Sequence, residues 1–340
     1  MNWRKRGTVW KLTALLLNLC AGCNRPEESS GTPAAKLGTE TITLEEAVFY
    51  TRMLQEQWEI SYYDFYGADM WQAKPEFGEG TGETMEEVLK ENVMDILTEI
   101  HLLCAHAEDY GAELTKEERK TVEARAEAFM KDNTPAVLEA AGATEETVER
   151  FLTYNEQASK TAEFLKEEYE PEIDEAEVRV GKLTYCLFAT TGTFDAEGNQ
   201  TPFTEDELLK VRSDADKFVL RVRELGDITA AGAEISHTVI DVYFNDKTDG
   251  GAHELVAQAA REMETGEVSG IIETQEGYYI VQKTAEYDEE ASKERMEEMK
   301  YLAREDYCAE LIEEWKKETP LEILDEVWSA VRVDKLLTEQ

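Results

Sequence analysis

The period of the hydrophobic pattern changes twice along this chain, near Val178 and again near Glu289, and those changes confine a sheet to the stretch between them. Before the first change the pattern is helical. Thr43-Leu44-Glu45-Glu46 has the form of a capping box and opens a helix through Val48, Phe49, Met53, Leu54 and Trp58, with Tyr62, Tyr63, Phe65 and Tyr66 at its far end. The Gly-rich stretch 67–82, which contains Pro75, reads as a loop. From Thr84 a second helix shows a wide apolar face, from Met85 and Leu89 to Ile100 and Leu103, and Gly111 is the expected stop. Thr115-Lys116-Glu117-Glu118 opens a third helix and Thr144-Glu145-Glu146-Thr147 a fourth; a fifth stretch, 158–169, stops before Pro171. Between the two changes come a β-rich run over 178–188, a turn region over 190–201, a helix over 205–225, a strand over 236–244 and a short helix over 254–263. Ile271-Ile272-Glu273-Thr274 and Tyr278-Tyr279-Ile280-Val281, joined by Glu276-Gly277, read as a hairpin. That order predicts a small α+β unit inserted in a helical protein. After it, 289–319 is helical again, Pro320 ends it, and 323–333 reads as a closing strand. The last helix is expected to complete the first helical domain.

The amino terminus carries a different signal. Arg4, Lys5 and Arg6 precede an apolar run from Leu12 to Leu19, and small Ala21 and Gly22 precede Cys23. This is the order of a secretory signal peptide. The run is shorter than the ~20 apolar residues a membrane span needs. Leu19-Cys20-Ala21-Gly22-Cys23 resembles a bacterial lipobox, with Cys20 where Leu is usual. The resemblance implies a signal peptide over 1–22, a lipid on Cys23, and an extracytoplasmic chain anchored to the cell membrane. Residues 23–36, with Pro, Ser and Glu and no periodicity, are expected to be a flexible tether.

The formal charge is -40, from 75 acidic and 35 basic residues. Such a surface repels nucleic acid and anionic headgroups, so membrane attachment is assigned to acyl chains. Cys104, Cys186 and Cys308 show no CxxC pairing and read as small buried hydrophobes, with one disulfide pair left open. His101, Cys104 and His106 share a helix, but core or boundary positions are the plainer reading than a metal site. His237 follows Ser236 without the surrounding G-x-S-x-G elbow, and His253 reads as a loop or helix-start residue. No phosphate-binding Gly loop is present, and neither metal nor cofactor is expected. The aromatic cluster of Tyr62, Tyr63, Phe65, Tyr66 and Trp71 is either packed core or an exposed surface for unfolded chains.

Gly266-Glu267-Val268-Ser269, then Ile271 to Thr274, then Gly277-Tyr278-Tyr279-Ile280-Val281, resembles the closing motif of parvulin peptidyl-prolyl isomerases. Thr41 to Glu46 and Gly111 to Glu118 resemble the helical domain of SurA- and PrsA-type foldases. The resemblance implies an α+β fold laid out as a helical chaperone-like domain over 37–175, a parvulin-like domain over 176–285, and residues 286–340 returning to the helical domain. It implies a folding factor for unfolded exported proteins, acting on X-Pro bonds. Family His positions are occupied here by Tyr185 and Tyr279, and these are the implied catalytic positions. Val256 stands where a pocket aromatic is usual; Met263 and Phe244 complete the implied substrate-binding set. Two readings follow, an isomerase-type foldase and a catalytically inactive holdase. A solute-binding lipoprotein is disfavoured, since the chain lacks repeated βα units. The oligomeric state is not legible.

Overall fold

The computed structural model of the chain describes residues 31–75, 83–194 and 200–337. Cys23 and the signal region lie outside the described residues. In chain order the elements begin with strands β1 (Pro33–Leu37) and β2 (Glu40–Thr43), then helices α1 (Leu44–Tyr66), α2 (Met85–Ala105), α3 (Lys116–Asp132), α4 (Pro135–Ala141) and α5 (Glu145–Glu168). A second series follows: α6 (Glu175–Val178), β3 (Gly181–Ala189), β4 (Thr193–Phe194), β5 (Gln200–Thr201), α7 (Glu205–Leu225), α8 (Ile228–Glu234), β6 (Val239–Phe244), α9 (Glu254–Glu262), β7 (Ile272–Glu273) and β8 (Gly277–Ala285). The chain closes with α10 (Glu289–Glu318), β9 (Leu321–Ile323) and α11 (Asp325–Trp328). Among the described residues no helix is long and apolar enough to cross a membrane.

The described chain divides into two compact units. The first runs to Glu170 and resumes at Ala303; the second is Pro171–Leu302. In the first unit, α1, α2 and α5 pack around a core holding Tyr50, Leu54, Leu89, Leu97, Ile100 and Leu165. Its helix starts follow their side chains. Thr43 accepts from the Glu46 amide, and Thr84 and Thr115 form capping boxes with Glu87 and Glu118. Cys308, Ile312 and Trp315 of α10 enter the same core. An antiparallel sheet ordered β2-β1-β9 closes this unit.

Several sequence expectations change here. Residues 33–36 are not tether: Ala34 and Ala35 are fully buried, and β1 pairs on one side with β2 and on the other with β9. The sequence around them lacked periodicity because small residues in a buried strand carry little hydrophobic signal. Gly111 does not stop α2, which ends at Ala105 with His106 as cap; turns carry the chain to Gly111. The fourth and fifth helical stretches are one helix, α5. The closing strand expected over 323–333 is instead β9 followed by α11, with Trp328 of α11 buried and, in the irregular segment beyond it, Val331 and Val333 buried as well. Helix α4, missed in the sequence, has a Thr134 cap, Pro135 in its first turn and Gly142 left-handed at its end.

The second unit is built on an antiparallel sheet ordered β6-β3-β8-β7. Strict alternation sorts its side chains. On one face Cys186, Phe188 and Ile280 pack against Phe218 and Val222 of α7 and Ile228 of α8. On the other, Leu183, Val242, Phe244, Tyr279 and Val281 pack against Val256 and Ala260 of α9. This unit reaches past the expected limits of 176 and 285 for a definite reason. The Asp288 amide donates to the Val180 carbonyl (2.9 Å), the Val180 amide to Ser292 Oγ (3.0 Å), and Arg295 Nε to the Glu177 carbonyl (2.7 Å). The first turns of α10 are thereby bound to the start of β3.

Candidate functional site

Register places the two tyrosines. Residue 185 of β3 pairs with Val281 of β8, and Leu187 pairs with Tyr279, so Tyr185 and Tyr279 are diagonal neighbours on the α9 face. Their rings meet edge to face at 5.2 Å between centroids. Tyr279 is buried and its hydroxyl donates to the Glu276 carboxylate in the turn just before β8. Tyr185 is half-buried, and among the described residues its hydroxyl has no partner.

Both phenols are held in the neutral form. Burial, then the Glu276 charge, raises the pKa of Tyr185; burial, then the hydrogen bond to Glu276 and its charge, raises that of Tyr279 further. Each therefore stays an O–H donor throughout the physiological range.

His253, at the start of α9, joins this group. Its ring centroid is 5.9 Å from that of Tyr279, and its Nδ1 accepts from the Leu255 amide at 3.2 Å. An accepting Nδ1 puts the proton of the neutral ring on Nε2. Apolar side chains stand beside the tyrosines: Leu187 and Ile272, half-buried, and Ile240, exposed at 44%. Ile240 lies directly across from Tyr185 in the β3–β6 pairing.

The residues expected to bind substrate fall in different places. Val256 and Phe244 belong to the same cluster as Tyr279, yet Val256 is fully buried and Phe244 nearly so. They form the floor beneath the tyrosines. Met263 stands apart; its carbonyl accepts from the buried Lys283 Nζ at 3.0 Å. Sequence reasoning left His253 as a loop or helix-start residue, and the structure makes it the cap of α9; it overlooked a role for Glu276, although the turn dipeptide Glu276-Gly277 sits two residues from Tyr279.

The remaining histidines have structural partners. His101 Nε2 lies 3.0 Å from Glu46 Oε1, and His106 stacks on Trp315 at 3.9 Å and meets Asp109. Cys104 Sγ donates to the Tyr154 carbonyl. No cluster of three metal-ligating side chains occurs among the described residues. His237 Nε2 is 2.8 Å from the Leu187 carbonyl, and its ring stacks on Phe188 at 4.4 Å, so it is committed to the sheet rather than to Ser236. In the aromatic cluster, Trp71 is buried, stacked on Trp58 and bonded to Glu59, while Tyr63 and Phe65 are exposed.

No family model matches this chain, and no curated protein matches it. Among solved structures it is similar to PrsA proteins. The fold class is α+β. The foldase protein PrsA of Streptococcus pneumoniae is 16% identical, with 87% of this chain and 97% of that one covered and a TM-score of 0.33. The peptidylprolyl isomerase PrsA of Bacillus cereus is 13% identical over 88% of this chain and 96% of that one, TM-score 0.30. That of Bacillus anthracis is 16% identical over 66% and 97%, TM-score 0.27. Superposition this loose assigns no role to any residue here.

Proposed function

We propose that this chain is an extracytoplasmic folding factor, lipid-anchored through Cys23, whose second unit takes extended X-Pro segments of exported proteins on the face of β3, β8 and α9. One observation carries the reading. Among the described residues Tyr185 offers an unpartnered hydroxyl, its pKa raised by burial, next to the exposed apolar side chain of Ile240 across the β3–β6 pairing.

That combination suits an imide. Rotation about X-Pro crosses a barrier of ~20 kcal/mol with no bond made or broken. It is eased by removing water from the amide and by a donor that favours the twisted form. An apolar surface receives the pyrrolidine ring, and the Tyr185 hydroxyl donates to the polypeptide backbone beside it. Tyr279 and Glu276 act behind it: the ring of Tyr279 supports that of Tyr185, and the carboxylate fixes Tyr279.

A second reading, a holdase without catalysis, is favoured by the burial of Tyr279 and the engagement of its hydroxyl by Glu276. This leaves Tyr185 as the one tyrosine of the pair with a hydroxyl open to a client. The two readings separate in one experiment. The chain from Asn24 onward is assayed for cis-to-trans conversion in Ala-Xaa-Pro peptides and for suppression of aggregation of a denatured protein. Catalysis that falls in Tyr185→Phe supports the isomerase. Aggregation suppression without catalysis, weakened by Ile240→Asp, supports the holdase. Neither activity in folded protein rejects both.

A further inference from the structure

The first unit holds an open cleft of about 490 Å3, remote in sequence from the tyrosine pair. That volume falls within the ~300–1,000 Å3 of ordinary ligand sites. One wall is a stripe of α1, Leu44, Val48 and Arg52, spaced four apart so that all three share a face. The other is the segment after β9, including Val331, Arg332 and Lys335.

The chemistry of this cleft runs against the composition of the chain. Acidic residues outnumber basic ones by 75 to 35 overall, yet three cations and one carboxylate, Asp334, line it. Two of the cations have no ion pair among the described residues. The half-buried Arg52 makes one hydrogen bond, Nη1 to Gln55 Oε1 at 2.7 Å, while the carboxylates of Asp334, Glu59 and Glu86 act on it from beyond ion-pair distance. Lys335 Nζ has no hydrogen bond or ion pair among them. Arg332 is paired with Glu86 at 2.9 Å. Burial outweighs those three charges and lowers the pKa of Arg52, so an anion set directly on its open donors would stabilise the guanidinium.

The walls are fixed. Gln55 Nε2 donates to the Lys335 carbonyl at 2.8 Å, Lys90 Nζ to the carbonyls of Trp328 and Val331 at 3.0 and 2.7 Å, and the Val333 amide to Glu86 at 2.9 Å. Partly buried polar ties thus hold the segment after β9 to α1 and α2.

We propose that this cleft binds the C-terminal end of an extended polypeptide, its last apolar side chain on Leu44, Val48 and Val331 and its free carboxylate between Arg52 and Lys335. A carboxylate matches the planar fork of arginine in two-point geometry. The apolar stripe ahead of the cations sets the preference for an apolar final residue. This site involves neither Tyr185 nor Tyr279, and it stands whichever reading of the second unit holds.

The test uses the chain from Asn24 onward, which keeps every described residue. Fluorescence polarisation follows a labelled peptide ending in Ala-Leu with a free carboxylate, beside the same peptide as its C-terminal amide. The acid is expected to bind at least about tenfold tighter than the amide, the lower range for a charge-assisted pair. Arg52→Gln is expected to remove most of that preference and Lys335→Gln part of it. Lys335 is exposed and unpartnered, so its variant reports binding with the fold intact. Equal binding of acid and amide, binding unchanged in both variants, or no binding of the acid would each overturn the proposal.

Discussion

Replacing Gln282 with Leu should loosen the second unit by about 2–3 kcal/mol, and the structure says why. Gln282 lies on β8, three residues beyond Tyr279, and is 4% exposed. Its Oε1 accepts from the Ile228 amide at 2.9 Å, and its Nε2 donates to the carbonyls of Gly226 at 2.8 Å and Gly266 at 3.3 Å. One side chain thus serves three backbone groups, at the start of α8 and in the turn before β7. Leu keeps the volume, so the cavity contribution is small. What is lost is polar satisfaction, and each orphaned buried group costs about 1–3 kcal/mol. The amide and the nearer carbonyl dominate; the 3.3 Å bond adds little. Hydrogen exchange read by mass spectrometry is the assay, because peptides over 226–235 and 277–285 report this unit while one over 85–105 reports the other. The expected loss of protection in the first two is about 30- to 150-fold, from tenfold per 1.4 kcal/mol. A change below about threefold would falsify the assignment of this side chain as the tie between β8 and α8. Gln282→Glu supplies a sign check. Its carboxyl, buried between two carbonyls, has a folded pKa raised above the unfolded ~4.3. Its penalty is therefore complete above that folded pKa and shrinks as pH falls towards ~4.3.

Three further outcomes follow from the same structure. A Cβ at Gly277 would lie 2.2 Å from the Phe188 carbonyl oxygen, at φ +151°, so Gly277→Ala should cost at least about 2 kcal/mol in urea unfolding; an unchanged midpoint contradicts the close approach of β3 and β8 there. Burial opposes ionisation of Asp241, but hydrogen bonds from Lys182 and Thr184 outweigh it and lower its pKa. Its contribution is present above the unfolded ~3.9 and is lost as pH falls through the lower folded value, so Asp241→Asn should be less stable than the parent at neutral pH and converge with it in acid. Burial pushes the thiol of Cys186 up to about 12 and that of Cys308 to about 11, and raises that of Cys104 well above the usual range. Native protein from Asn24 onward should leave all three unreacted with a thiol reagent at pH 8, and release them on unfolding; a fast-reacting equivalent in the native state contradicts this burial.

The limits of α7 illustrate what periodicity alone settled. Thr204 caps it, Glu207 completes the box, Gly226 ends it left-handed, and the apolar face runs between them, so every local preference agrees. The sheet face of each residue in β3 and β8 was equally fixed by alternation, since a one-residue slip would turn Tyr279 to the α7 side. Helices α6 and α8, four and seven residues long, escaped because so short a helix shows barely a period. The residues from Lys36 to Thr43 read as β-type in the sequence, but the start of β1 escaped for the complementary reason: two buried alanines look like linker until a strand from the other end of the chain pairs with them.

Sequence by itself determined that helices flank a small α+β unit and where most of them start and stop. These are properties of neighbours a few residues apart, and backbone sterics and water decide them locally. Only the tertiary structure decided which tyrosine of the pair keeps a free hydroxyl among the described residues, that Glu276 engages the other, that His253 joins them, and that Arg52 and Lys335 line one cleft. Each of those depends on groups brought together from distant positions, whose burial and partners exist only once the chain has closed on itself.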